Sequence, residues 1–159
     1  MPGMEPGELY DQDFLRWTEE QAAALRRARD SNLPLDWDNL AEEIESLGKS
    51  QRKELRSQIR RILHHLFKIE APPAAEPRAE WYETVEDARA QIEDLFRDNP
   101  SLRRETEAVI AEQTPIAAKH AAADLERYGE PADAVRGRVQ KGGFTAEEVL
   151  GDWFPDAGP

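Results

Sequence analysis

The chain has 159 residues, a length typical of one domain, and it contains no cysteine, which excludes disulfides and cysteine-ligated metal centres and predicts a reducing compartment. Its 33 acidic and 21 basic residues give a formal charge of −12, so a polyanion such as DNA is repelled and nucleic acid is not expected as a partner. No apolar run approaches the roughly 20 residues that span a bilayer and no signal peptide is visible, so we expect a cytoplasmic protein without membrane contact.

Apolar residues recur with helical spacing through the N-terminal half of the chain. They predict a first helix from Glu8 to about Arg29, a loop over Asp30–Pro34, and a second helix that ends at Gly48. The stripe positions of these two helices are Tyr10, Phe14, Trp17, Gln21, Ala24, Leu25, Ala28, Trp37, Leu40, Ala41, Ile44 and Leu47. A third helix is predicted from Ser50 to about Ile69, with an apolar face made of Leu55, Ile59, Ile62, Leu63, Leu66 and Phe67.

The proline-rich segment Ala71–Pro77 predicts a linker between two helical halves, because proline removes a backbone donor. A fourth helix should carry the stripe Trp81, Val85, Ala88, Ile92, Leu95 and Phe96, and a fifth should start at Ser101. Pro115 is expected to kink or split the fifth helix. A short helix within Pro131–Gln140 and a last turn capped by Thr145 should follow.

The predicted fold class is therefore all-α, a bundle of about five to seven helices. We expect a single domain over residues 1–159. Its parts are a three-helix segment over 8–70, the linker over 71–77 and a helical segment over 78–155.

Carboxylates and a histidine make one set of catalytic candidates: Asp13, Glu43, Glu45 and His65. Facing helices of a bundle can combine such groups into a metal-assisted hydrolase or phosphodiesterase site. The competing interpretation, which we favour, is that the glutamates pair with Lys and Arg of the third helix. Because no catalytic, nucleotide-binding or metal-binding signature is present, no cofactor and no defined metal set are predicted.

The adjacent histidines are poor ligands for one metal ion. His64 and His65 diverge by about 100° on a regular helix, whereas a ligand pair needs a spacing of three or four. A histidine at the edge of an apolar arc more often makes a hydrogen bond across a helix interface. His120 stands alone among alanines.

A basic stripe on the third helix forms the candidate binding site: Lys49, Arg52, Lys53, Arg56 and Arg60. It could bind nucleic acid, an acidic protein segment or a phosphorylated ligand. It could equally be neutralised by neighbouring glutamates, and it lacks the interleaved aromatic residues of single-strand binders.

Two segments resemble a family known as domain of unknown function 29, found mainly in bacteria. They are the run from Tyr10 to Phe14 with Trp17, and the run from Asp36 to Gly48 (DWDNLAEEIESLG). The resemblance continues through Arg52, Glu54-Leu55, Leu63, His65–Lys68, Trp81, Asn99–Leu102, Phe144–Leu150 and Trp153–Pro155. It implies an all-helical domain without an established activity and assigns no catalytic residue. It draws attention to Asp13, Trp17, Glu43, Glu45, Arg52 and His65.

The favoured functional hypothesis is a non-enzymatic interaction module. Such a bundle would bind another protein or a second copy of itself, and the basic stripe would select an acidic partner. The metal-assisted hydrolase and nucleic-acid binding through the third helix are the two alternatives.

Overall fold

The computed structural model describes residues 4–71 and 78–156, and these ranges contain helices and no strand. The α-helices in chain order are α1 (Pro6–Gln12), α2 (Phe14–Arg27), α3 (Trp37–Glu70), α4 (Arg78–Asp98), α5 (Thr106–Arg127), α6 (Asp133–Gln140) and α7 (Ala146–Leu150). Short 3-10 turns occupy Ala28–Asp30 and Pro100–Glu105. The predicted all-α class is confirmed. Of the predicted linker Ala71–Pro77, only Ala71 lies within the described residues.

The helices form two compact units. The first unit comprises Met1–Glu54 and Asp94–Arg104, and the second comprises Leu55–Glu93 and Glu105–Pro159. Each unit takes residues from both sides of the predicted linker, so the units do not coincide with the two halves expected from the sequence. The expectation of a single domain stays a prediction. No helix in the described ranges is long and apolar enough to cross a membrane.

The predicted first helix is wrong in its bounds, because it breaks at Asp13. Asp13 has extended backbone angles (φ −154°, ψ 91°) and caps α2 with its side chain, so α1 ends before it. The face that is buried also differs from the predicted stripe. The buried residues of α1 and α2 are Leu9, Leu15, Thr18 and Ala22, whereas Tyr10 is exposed.

The predicted second and third helices are one helix, α3, which runs through Gly48 without interruption. Contrary to the prediction, Gly48 does not end a helix but allows two helices to pack closely. A Cβ at this position would lie 2.5 Å from Thr18 Oγ1 and 3.0 Å from Leu15 Cδ1. The missing side chain therefore lets α2 approach α3, which offsets the intrinsic cost of glycine inside a helix.

The apolar core of the second unit follows the sequence prediction. In α3 the residues Leu55, Ile59, Ile62, Leu63, Leu66 and Phe67 are all essentially inaccessible to solvent. The predicted stripe of α4 is buried as well, including Val85 and Ala88 in this unit. Regular helical spacing therefore identified the correct face in this part of the chain.

The C-terminal elements confirm part of the prediction and correct the rest. Ser101 lies in a 3-10 turn and α5 starts only at Thr106. Pro115 does not split α5, which continues through it from Thr106 to Arg127 with the proline exposed. Thr145 caps α7 as predicted, in a capping box with Glu148.

Candidate functional site

Asp13, the first catalytic candidate, anchors two segments of the first unit. Its carboxylate caps α2 by accepting from the Arg16 backbone N–H at 3.1 Å. It also accepts from the backbone N–H and the hydroxyl of Ser101, both at 2.9 Å. These donors occupy the carboxylate, so its geometry fits an anchor better than a free acid or base.

The buried Asn99 completes this anchor. Its Oδ1 accepts from the Leu15 backbone N–H at 2.8 Å, which satisfies a donor in the first turn of α2. Its Nδ2 donates to Gln51 Oε1 at 3.0 Å and to the Leu95 carbonyl at 2.9 Å. Only the Asn-Pro-Ser turn itself marked this position in the sequence.

Glu45 is held by an ion pair within the first unit. Its carboxylate lies 2.6 Å from Arg26 of α2 and 3.8 Å from Lys49. The hydrogen bond and charge of Arg26 lower the pKa of Glu45 below its ordinary value. Glu43, two residues earlier, is exposed, and no hydrogen bond or ion pair of its side chain occurs within residues 4–71 and 78–156.

The histidines belong to the second unit. His65 Nδ1 lies 2.9 Å from the Arg61 carbonyl, and burial lowers its pKa. His64 Nε2 lies 2.9 Å from Asp124, and burial, with the neighbouring His65, lowers the pKa of His64 to about 4. Both rings are therefore neutral at pH 7, and the third histidine, His120, is exposed.

Asp124 also forms an ion pair with Lys68, whose ammonium group lies over an aromatic ring. Lys68 Nζ lies 3.6 Å from Asp124 and 4.5 Å from the centre of the Trp81 ring. Nothing in the described ranges forms a group of three or more His, Asp and Glu side chains that could hold a metal ion. The metal-assisted hydrolase therefore stays a prediction without a supporting ligand set.

The basic stripe is partly neutralised. In the first unit Arg52 pairs with Glu19 at 2.6 Å and Lys49 lies 3.8 Å from Glu45. This agrees with the ion-pair interpretation for these two cations. Lys53 of the first unit, and Arg56 and Arg60 of the second, form no ion pair with any residue that the structure describes. Binding through the stripe stays a prediction.

The first unit exposes an apolar surface, and two of its residues were predicted to face the core. Leu40 and Leu47 of α3 are 40% and 47% exposed, and Leu33 and Leu35 in the preceding loop are 62% and 49% exposed. We call these four residues the exposed leucine face. Ile44 lies half-buried between the two helical leucines. The expectation that Leu40 and Leu47 are core residues is wrong, because the covered side of α3 here is the one with Ala41 and Gly48.

An aromatic cluster and a cleft continue this surface. Gln51 follows Leu47 by four residues on the same side of α3. It lines a cleft of about 330 Å³ together with Tyr10, Asp11, Phe14 and Asp98. The rings of Tyr10 and Phe14 are 5.9 Å apart, and Trp17 stacks on Phe14 at 5.8 Å.

A larger cleft of about 510 Å³ lies in the second unit. Its lining includes Ile110 and Phe144, with the hydroxyls of Thr114 and Thr145 among the polar groups. Both hydroxyls already serve the helices: Thr114 donates to the Ile110 carbonyl at 2.6 Å, and Thr145 caps α7.

The fold and these surfaces define an all-helical protein with an exposed apolar face. The chain belongs to the family described as Domain of unknown function DUF29, whose model matches residues 9–152. The resemblance that the N-terminal motifs predicted is confirmed.

A solved structure is similar along nearly the whole length. It is an alpha-helical protein of unknown function from Rhodospirillum rubrum ATCC 11170, with 25% sequence identity and a TM-score of 0.68. The similarity covers 92% of this chain and 98% of that chain. No curated protein matches the chain. The family and the structural neighbour support the fold and leave the function unknown.

Proposed function

We propose that this chain is a non-enzymatic protein-interaction module that docks another protein on the exposed leucine face. The observation that carries the proposal is the exposure of Leu33, Leu35, Leu40 and Leu47 within one short stretch of the first unit. Single exposed leucines are ordinary, but several that adjoin a cleft and an aromatic cluster are typical of interaction sites. Helix-in-groove recognition uses apolar anchors at this helical spacing.

The proposed binding surface is the exposed leucine face and not the basic stripe that the sequence favoured. The basic stripe was expected to select an acidic partner, but Lys49 and Arg52 are engaged by glutamates of their own unit. Releasing such a cation for a partner would exchange one ion pair for another, with little net gain. Removing an apolar face from water, in contrast, lowers the free energy of the complex.

The compartment belongs to the same proposal. A chain without cysteine suits a reducing cytoplasm, and the structural neighbour comes from Rhodospirillum rubrum. We therefore propose a bacterial cytoplasmic protein. Cell fractionation followed by detection of the untagged chain tests this assignment, and recovery in a periplasmic or membrane fraction would contradict it.

Site-specific photo-crosslinking in the native cells tests the docking role. A benzophenone amino acid replaces Leu40 or Leu47 in one set of strains. In the control strain it replaces Lys53, which is exposed on α3 of the same unit but lies away from the leucines. We expect a discrete adduct of higher mass from positions 40 and 47 and none from position 53. The same pattern at all three positions, or no adduct at any, would contradict docking on the leucine face.

A further inference from the structure

We infer that the occupant of the exposed leucine face is a cationic amphipathic helix, an inference that rests on the proposed function. The starting observation is an alternation along one side of α3. Asp36, Leu40, Glu43 and Leu47 follow each other at spacings of four, three and four residues. Such spacings place successive side chains on the same side of a helix. The face therefore alternates carboxylates with leucines.

The stretch of chain that carries this side of α3 is rich in carboxylates. Residues 36–45 contain five carboxylates and no Lys or Arg. Two of them, Glu42 and Glu45, share the single charge of Arg26 of α2, at 3.8 Å and 2.6 Å. Asp36 accepts from the uncharged Asn39 side chain at 2.6 Å, and Glu43 makes no ion pair with any described residue. A partner that removes the leucines from water must also meet these charges.

Carboxylates also border the cleft that continues the face. Asp11 and Asp98 are exposed and line it with Tyr10, Phe14 and Gln51. An apolar anchor that entered this cleft would carry its neighbouring side chains past these two acids. Basic side chains fit there because an opposite charge across an interface steers encounter and rejects acidic partners.

A second copy of the chain fits this face poorly. A two-fold axis makes each surface meet itself, so Leu40 of one copy would pack on Leu47 of the other. The axis would then pass between residues 43 and 44, and it would bring the two Glu43 carboxylates together. Like charges at the centre of an interface oppose its formation. A separate helix with Lys or Arg beside its apolar positions avoids this repulsion.

A display library of random 16-residue helical peptides tests the inference on the full chain. Peptides are selected on the natural sequence and counter-selected on the Leu40→Ser/Leu47→Ser double variant, which removes the apolar anchors without changing the charge and whose folding is checked by thermal melting. We expect enriched peptides with apolar residues at spacings of three, four and seven and with Lys or Arg beside them. Enriched peptides with neutral or acidic flanks would overturn the charge inference and leave the docking role intact.

Charge-reversal variants make the test quantitative. For one enriched peptide, Glu43→Lys should weaken binding by about tenfold in fluorescence anisotropy, because an attraction becomes a repulsion. Asp38→Lys, which makes the same charge change on the opposite side of α3, should change affinity by less than about twofold. Equal effects of the two variants would show that only the net charge of the chain matters and not the position of Glu43, which would overturn the inference.

Two further outcomes separate this inference from the proposed function. If no peptide is enriched over the double variant, both the docking role and its cationic partner are overturned. If light scattering shows a dimer of the natural chain that Leu47→Glu dissociates, the occupant is a second copy. In that case the docking role stands and the inference fails.

Discussion

Helix α3 carries leucines in two different environments. Leu66, in the second unit, is completely inaccessible to solvent, whereas Leu47, in the first unit, is 47% exposed. Both residues lie on apolar stripes of regular helical spacing in the same helix. The difference shows that a stripe specifies which residues share a face, while the neighbouring elements decide whether that face becomes core or remains a surface.

The two units are alike in one respect: in each, a buried polar side chain forms hydrogen bonds with backbone groups of other segments. In the first unit the buried Asn99 ties the start of α2 to the Leu95 carbonyl. In the second unit the buried Arg89 donates to the carbonyls of Val149, Glu148 and Trp153, at 2.7–2.9 Å. Both units therefore have anchored backbones. The exposed leucines belong to an anchored unit, which favours a preformed docking surface over a loosely packed one.

The largest effect is expected from removing a core leucine of the second unit. Leu66→Ala should lower the free energy of unfolding by about 2–5 kcal/mol, because it leaves a cavity in a packed interior. Leu63→Ala should behave alike, since both side chains are completely buried. Urea denaturation followed by circular dichroism measures the change. A loss below about 1 kcal/mol for both variants would show that the second unit is not packed as described.

The pH dependence of stability should identify His64, a half-buried histidine of the second unit. The pKa of His64 is lowered from 6.5 to about 4, mainly by burial. The unfolded chain therefore binds more protons between these values. The stability contributed by the neutral ring is present above pH 6.5 and is lost as the pH falls towards 4. The loss should be less than about 3 kcal/mol, because water reaches part of the ring. His65 acts in the same direction.

The matched variants are His64→Gln, which keeps an amide beside Asp124, and His120→Gln at an exposed position. Free energies of unfolding are measured from pH 7 to pH 4. His64→Gln should flatten the decline and His120→Gln should not. An equally steep decline in both variants would assign the pH dependence to other groups.

A smaller effect is expected at the contact between α2 and α3 in the first unit. Gly48→Ala should cost about 1–3 kcal/mol, since the new Cβ would lie 2.5 Å from Thr18 Oγ1. Gly137→Ala in α6 meets nothing within 4 Å and should stabilise by about 0.5–1 kcal/mol. Adding Thr18→Ala to Gly48→Ala should recover part of the loss. Thermal melting that showed equal effects of the two glycine variants would contradict the close approach.

The smallest loss of stability is expected from truncating the exposed leucines of α3. Leu40→Ala and Leu47→Ala should each cost less than about 1 kcal/mol, because much of the side chain is already in water. The same urea titration provides the measurement. Losses as large as that of Leu66→Ala would mean that these leucines belong to a core.

The sequence predicted those features that depend on local pattern. The buried stripe from Leu55 to Phe67 and the cap at Thr145 follow from spacing and residue type alone. The environment of Leu47 could not be predicted in this way, because coverage depends on elements that are distant in the chain. Gly48 was misread for the same reason: its close neighbour Thr18 is thirty residues earlier.

In the candidate site, too, the contacts between residues distant in the chain could not be predicted from the local sequence. The pairing of Glu45 with a cation was expected, but its principal partner is Arg26 of α2 and not a residue of the third helix. The anchoring role of Asp13 depends on Ser101, which is 88 residues away. The exposed position of Glu43 between two leucines becomes visible only once the covered side of α3 is known.

The most direct measurement of the central claim uses the absence of cysteine from the chain. Single variants Leu47→Cys and Leu66→Cys are treated with a thiol reagent under native conditions, and their labelling rates are compared. A surface face predicts rapid labelling at position 47 and labelling at position 66 only upon unfolding. Labelling at position 47 as slow as at position 66 would contradict an exposed leucine face and the docking role proposed for it.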